Sequence, residues 1–127
     1  MRVLLDTHAV MWWLWGDDRL SQPASLAIQT ATSVHVSSVS AIEITIKHRI
    51  GKLPRAGDLA AEFPQLMDAE GFVEQVVTWR EAQLAGRMEH DHRDPFDRLL
   101  VAQGLLNDLT LVSNERMFDT FGVSRIW

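Results

Sequence analysis

A chain of 127 residues with 46% hydrophobic content is sized for one domain, 1–127, and carries enough apolar surface for a core, which excludes intrinsic disorder as its main state. The lack of cysteine excludes a disulfide framework, a thiolate metal site and a cysteine nucleophile together. A net charge of −5 argues against a protein that simply coats nucleic acid with positive charge. No apolar run nears the roughly 18 residues of a membrane span, and Asp6 interrupts the start too early for a signal peptide, so a cytoplasmic domain with no membrane association is expected.

In chain order, residues 2–5 (Arg-Val-Leu-Leu) read as a buried strand, followed directly by a helix over 7–15. A helix is expected over 23–30 and a second strand over 34–37, where β-branched Val34 and Val36 flank His35. Residues 41–50 place Ile42, Ile46 and Ile50 on one helical stripe. A helix over 58–69 should be kinked by Pro64. A third strand over 72–78, helices over 79–88 and 95–106, a fourth strand over 109–113 and a weaker fifth over 123–127 complete the set. Strands alternating with helices imply an α/β fold: a mostly parallel sheet of four to five strands with helices on both faces. Ligands of such folds collect beyond the carboxyl ends of the strands, so acids there are the residues of interest.

Each such acid has a local explanation. Asp6 follows the first strand and can cap the next helix, a task Thr7 could share. Ser40-Ala41-Ile42-Glu43 fits a capping box. In His92-Arg93-Asp94-Pro95-Phe96-Asp97-Arg98, Pro95 belongs at the first helical position, which makes Asp94 the cap and Asp97 the third helical residue. One helix needs one cap, and two anions there repel unless a cation lies between them. Ser113, Asn114 and Glu115 end the fourth strand and read equally as a polar loop exit. Local explanations do not predict that successive strand-to-helix junctions each carry an acid. Carboxylate clusters suit hard divalent cations such as Mg²⁺ or Mn²⁺, which activate water and clamp phosphoryl groups. Phosphodiester hydrolysis is the chemistry implied.

Leu4-Leu5-Asp6-Thr7-His8-Ala9, Ser38-Val39-Ser40-Ala41-Ile42-Glu43-Ile44 and the 92–103 stretch containing Asp94-Pro95-Phe96-Asp97-Arg98-Leu99 resemble PIN-domain ribonucleases, in particular VapC-type toxins of prokaryotic toxin–antitoxin pairs. The closing Gly122-Val123 to Ile126-Trp127 also resembles this group's last strand, so the likeness runs through the whole chain. It implies a PIN-like three-layer α/β/α fold and RNA cleavage dependent on one or two Mg²⁺ or Mn²⁺ ions. By resemblance, Asp6, Glu43 and Asp97 are the catalytic, metal-binding acids, Asp94 is a helper or cap, and Thr7 is a supporting residue. The family's fourth position usually reads Thr-x-Asp; here it is Ser113-Asn114-Glu115, whose longer acid puts a second metal in question. The resemblance further implies a cognate antitoxin, a small DNA-binding protein with an inhibitory C-terminal tail, and a homodimer.

Outside the acids, Lys47, Arg49, Lys52, Arg93 and Arg98 are candidate RNA contacts, although a basic run is also an ordinary solvated helix face. The charge is uneven: residues 1–55 hold six Lys/Arg against four Asp/Glu, and residues 56–127 hold six against thirteen. Trp12, Trp13 and Trp15 crowd one short helix, and adjacent tryptophans cannot both face one core, so they mark a candidate partner interface. The five histidines lack zinc-ligand spacing and none is assigned as a ligand. A phosphoryl-accepting receiver domain would need a second acid beside Asp6 and a lysine after the last strands, yet no lysine occurs beyond Lys52. A catalytically inactive PIN-like module that binds metal, RNA or protein, and an RNA-processing nuclease without an antitoxin, are the remaining alternatives.

Overall fold

Alternate residues of a strand face opposite sides of a sheet, and strand β1 (Arg2–Leu5) serves two cores in this way. In the computed structural model, which describes residues 1–127, Val3 and Leu5 pack on one face with Ala9, Val10, Ala24, Ile28, Phe63 and Met67. Leu4 packs on the other with Leu100, Val101, Leu111 and Phe118. All three strand residues are fully buried, and each buried Leu or Val contributes roughly 1.5–3 kcal/mol through lost hydration.

Helices α1 (Thr7–Trp15) and α2 (Gln22–Thr30) carry the chain to β2 (Ser33–Ser37). Helices α3 (Ser38–Arg49) and α4 (Gly57–Glu70), joined through a 3-10 turn at Pro54–Ala56, lead to β3 (Val73–Gln75). Helices α5 (Trp79–Arg87) and α6 (Pro95–Asn107) lead to β4 (Thr110–Val112), and a 3-10 segment, Arg116–Phe121, leads to β5 (Arg125–Ile126). The five strands pair in the order β3-β2-β1-β4-β5, every pair parallel. The α/β class with a parallel sheet covered on both faces is therefore observed. The chain builds outward from β1 through β2 to β3, then crosses to β4 on the other side of β1. The order reverses between β1 and β4, the place where open α/β sheets leave a crevice.

Four local expectations are corrected or sharpened. The strand expected over 72–78 is confined to Val73–Gln75, because Thr78 instead caps α5 through a capping box with Glu81. Helix α3 starts three residues earlier than expected, with the Ser37 hydroxyl accepting from Val39 N, so Ser40 and Glu43 form no capping box. Its Ile42 and Ile50 are 48% and 50% exposed; the helix buries Val39, Ser40 and Ile44, one turn-face away. Pro64 does kink α4: Glu62 leaves helical geometry (φ −131°, ψ 32°), where a proline ring would otherwise meet the preceding turn.

Buried polar groups tie the outer helices to the sheet. Glu81 is 2% exposed and accepts from Thr78 N, Gln75 Nε2, Gln103 Nε2 and Asn107 Nδ2. Burial raises the pKa of this carboxyl, but these four donors outweigh it and hold it below the ordinary 4.5. Gly104 fits where a Cβ would lie 2.7 Å from Val123 Cγ2 and 3.3 Å from Leu109 O, so only glycine allows α6 to approach β4 and the last segment this closely.

Candidate active site

Asp6 leaves β1 at the sheet's carboxyl edge, its backbone N–H donating to Val112 O at 3.1 Å and so extending the ladder by one residue. Its side chain caps α1, accepting from Ala9 N at 2.8 Å, and is 4% exposed. Burial raises its pKa above the usual 3.8; hydrogen bonds from Ser113 and Ala9 counter this, and Glu115 adds repulsion. The helix cap and the site carboxylate are thus one group. Only tertiary structure adds the buried Ser113 hydroxyl and the Glu115 charge.

Thr7 is buried, and its hydroxyl donates to Glu43 Oε1 at 2.7 Å while lying 3.0 Å from Ser40 Oγ. A hydroxyl has one proton, so Ser40 donates to Thr7 and Thr7 to Glu43. Glu43 Oε2 accepts from Lys47 Nζ at 2.7 Å, the favourable Glu-before-Lys i,i+4 pairing. Both Glu43 oxygens are therefore oriented from one side by α1 and from the other by α3's own next turn.

The start of α6 supplies two acids with separate tasks. Asp94 Oδ1 accepts from Phe96 N at 2.8 Å and Asp97 N at 3.1 Å, which makes it the cap, as expected. Asp97, relieved of that role, accepts at Oδ2 from His92 Nε2 at 2.8 Å. Burial raises the Asp97 pKa; the His92 bond opposes this, while the Asp94 and Glu43 charges reinforce it. Glu115 is exposed, and its backbone N–H donates to Ser113 Oγ at 3.0 Å.

These groups line one cleft of about 260 Å³ with Asp6, Thr7, His8, Glu43, Lys47, His92, Asp94, Asp97 and Glu115 on its polar walls. Five carboxylates meet one lysine there, an excess of negative charge unusual for a surface that binds only a polyanion. The donor set is all hard oxygen with mutual repulsion to relieve, and that fits a divalent cation. No three of the acids or histidines are placed closely enough to share one ion; Glu43 and Asp97 are engaged by Lys47 and His92.

The remaining expected residues are distributed differently. Of the five basic candidates only Lys47 lines the cleft. Arg49, Lys52 and Arg93 are exposed away from it. Arg98 is corrected as an RNA contact, because its guanidinium is turned inward onto the main-chain carbonyls of Ala85, Met88, His90 and His92. Asn114 is exposed and outside the cleft walls. Trp12 is 7% exposed, flanked by Trp127 at 5.6 Å between rings, so it is core rather than open surface. Trp13 and Trp15 are half-buried, with the Arg55 guanidinium 4.4 Å from the Trp15 ring centre. Two cleft histidines were not foreseen: His8 follows the Asp6 cap, but His92 reaches Asp97 only because the chain before α6 doubles back, and no periodicity announces that.

The fold is shared with proteins of known structure. VapBC2 from Rickettsia felis, solved bound to a promoter DNA fragment, aligns with 100% of this chain and 99% of its own at TM-score 0.73 and 13% identity. FitAcB from Neisseria gonorrhoeae aligns over 100% and 97% at TM-score 0.65 and 16% identity. A toxin–antitoxin complex from Klebsiella pneumoniae aligns over 89% and 86% at TM-score 0.60 and 16% identity. No sequence among curated proteins is similar enough to match. At such identities the likeness is one of fold, but the PIN domain family model itself matches residues 3–123, from the first buried residue of β1 to the approach to β5. This chain, with its parallel sheet reversing order beside β1 and acids lining a cleft at that reversal, thus belongs to the PIN domain family.

Proposed function

We propose that the chain is a metal-dependent endoribonuclease and the toxin of a type II toxin–antitoxin pair. The observation that carries this reading is the cleft at the β1/β4 reversal, where Asp6, Glu43, the Asp94/Asp97 pair and Glu115 come from four chain segments to face one space. Asp6, Glu43 and Asp97 are the residues that would hold Mg²⁺ or Mn²⁺, directly or through the waters such ions retain, with Glu115 and Asp94 beside them. When bound, such an ion lowers the pKa of water and stabilises charge developing on a phosphoryl group. The chain's own contribution is orientation. Thr7 and Lys47 fix the two Glu43 oxygens, and His92 fixes one oxygen of Asp97. Burial disfavours a bare negative charge on Asp6 and Asp97, a cost that a bound divalent cation would offset. Lys47 is the cation nearest to hand for a substrate phosphate.

The toxin assignment rests on family membership and on folds found in toxin–antitoxin complexes. It carries with it an antitoxin partner and a homodimer. A second reading, an inactive binding module, draws on Glu43 and Asp97 being already paired with Lys47 and His92. Purified, antitoxin-free protein incubated with a mixed RNA pool in Mg²⁺, Mn²⁺ or EDTA, beside an Asp6→Asn variant, separates the two. Metal-dependent cuts lost in the variant support the nuclease; metal binding without any cutting favours the module.

A further inference from the structure

Arg98 follows Asp97 by one residue on α6, yet its side chain leaves the cleft and turns under the connection from α5. Nε donates to Ala85 O at 2.7 Å, Nη1 to His90 O at 3.1 Å and to His92 O at 2.8 Å, and Nη2 to Met88 O. Four of the guanidinium's five N–H groups are thereby spent, one on a carbonyl in the last turn of α5 and three on carbonyls of the connection that follows. That fan of donors is rigid and planar, which a single ammonium nitrogen cannot imitate.

The same connection is fastened from its other side. His90 Nδ1 accepts from His92 N–H at 3.0 Å, which puts the ring proton on Nε2, where it donates to Thr120 Oγ1 at 2.8 Å. The His90 ring also stacks on Phe121, with 3.7 Å between ring centres. His92, held at its carbonyl by Arg98 and at its N–H by His90, leaves its imidazole to meet Asp97 Oδ2 at 2.8 Å.

We infer that Arg98 is a positioning residue of the acid cleft: it gathers the Ala85, Met88, His90 and His92 carbonyls so that His92 orients the Asp97 carboxylate. The inference rests on the nuclease reading only for its consequence in cleavage. Its geometric part, that Arg98 sets the His92–Asp97 bond, stands apart from that reading. A partner that orients a ligating carboxylate typically changes metal affinity or activity by about 10–100-fold when removed.

Two properties separate positioning from a plain phosphate contact or a plain packing role. Lysine keeps the charge but not the fan of donors, so Arg98→Lys should fail as badly as Arg98→Met. Arg98 should also act through His92, so His92→Gln and Arg98→Met together should cost no more than either alone. The experiment follows the full chain in these variants by three readouts. Long-range ¹H–¹⁵N NMR of the neutral His92 ring reports the Nε2–H tautomer. Free-Mn²⁺ electron paramagnetic resonance reports ion binding without substrate. RNA cleavage reports the consequence.

In the expected result, wild type shows the Nε2–H tautomer at His92 and both Arg98 variants show a tautomer mixture. Mn²⁺ affinity and cleavage then fall by about 10-fold in each single variant and in the double variant. The inference is overturned if Arg98→Lys matches wild type, if the single losses multiply in the double variant, or if the His92 tautomer is unchanged. If Arg98→Met does not fold, Arg98→Lys and His92→Gln carry the same comparison. Should wild type bind no Mn²⁺ and cut no RNA, the nuclease reading fails while the tautomer still decides the role of Arg98.

Discussion

Replacing Thr7 with valine keeps the volume of a fully enclosed side chain and deletes only its hydroxyl. Two hydrogen bonds go: the 2.7 Å donation to Glu43 Oε1, and the acceptor for Ser40 at 3.0 Å. A hydrogen bond to a charged group is worth roughly 1.5–3 kcal/mol, and a stranded buried hydroxyl costs about 1–3 kcal/mol. Glu43 keeps Lys47, and 19% side-chain exposure lets water take the vacated lone pair. Ser40 sits in the first turn of α3, with no helical carbonyl four residues earlier to accept its proton, so most of the cost falls there. A net loss of about 2 kcal/mol remains, or roughly 7 °C in Tm for a chain of this length. Cleavage should fall further, by about 10–100-fold, since a Glu43 held only by Lys47 loses its fixed orientation within the cleft. Thr7→Ser is the discriminating control: it loses a methyl, about 1 kcal/mol, yet keeps the hydroxyl and therefore near-native cleavage. Urea denaturation and RNA cleavage on the same samples make the comparison. Equal cleavage by the valine variant and wild type, or equal losses in the serine and valine variants, would refute the role assigned to Thr7.

The buried acids give a pH signature. Asp6 and Asp97 have pKa values raised in the folded protein, so the native state binds more protons than the unfolded one above the ordinary 3.8. These two groups therefore favour folding most below that value, and stability is lost as pH rises through their folded pKa values. Asp6→Asn keeps the cap on Ala9 but removes the buried charge; thermal melts of metal-free protein at neutral pH should show a higher Tm alongside abolished cleavage, and a lower Tm would contradict this. Glu81 has the opposite sign, with a depressed pKa whose stabilisation is present above 4.5 and lost as acid protonates it. Glu81→Gln sets an amide among donors and should cost about 2–4 kcal/mol at neutral pH in urea titrations, with a flatter acid limb than wild type. Gly104→Ala drives a Cβ to 2.7 Å from Val123 Cγ2 and 3.3 Å from a carbonyl; overpacking of about 1–3 kcal/mol is expected, and a melt unchanged from wild type would count against the tight α6–β4 approach.

What the sequence by itself determined is what short-range physics can encode. The alternation Val3-Leu4-Leu5 specifies a strand buried on both faces, and Asp94-Pro95 specifies where α6 begins. Acids after β1, β2 and β4 are legible in the same way, because those strand exits share one edge in a parallel sheet. Asp94 and Asp97, by contrast, follow α5 rather than a strand and reach that edge only through the packing of α6. The Thr78-x-x-Glu81 capping box was equally legible, though the strand-like 72–78 run masked it. Other features depend on which surfaces meet. The Ile42/Ile50 stripe has ideal helical spacing and still faces outward, since α4 and α6 claim the neighbouring face of α3. Arg98 carries the charge of an RNA contact and spends it on four carbonyls that sequence does not place beside it. Likewise, the Ser40–Thr7–Glu43 relay joins residues from different helices, and His92 finds Asp97 only through the fold-back before α6. Charge, spacing and propensity are properties of the local chain; the partner of a side chain is a property of its neighbours in space, and only the packed structure supplies those.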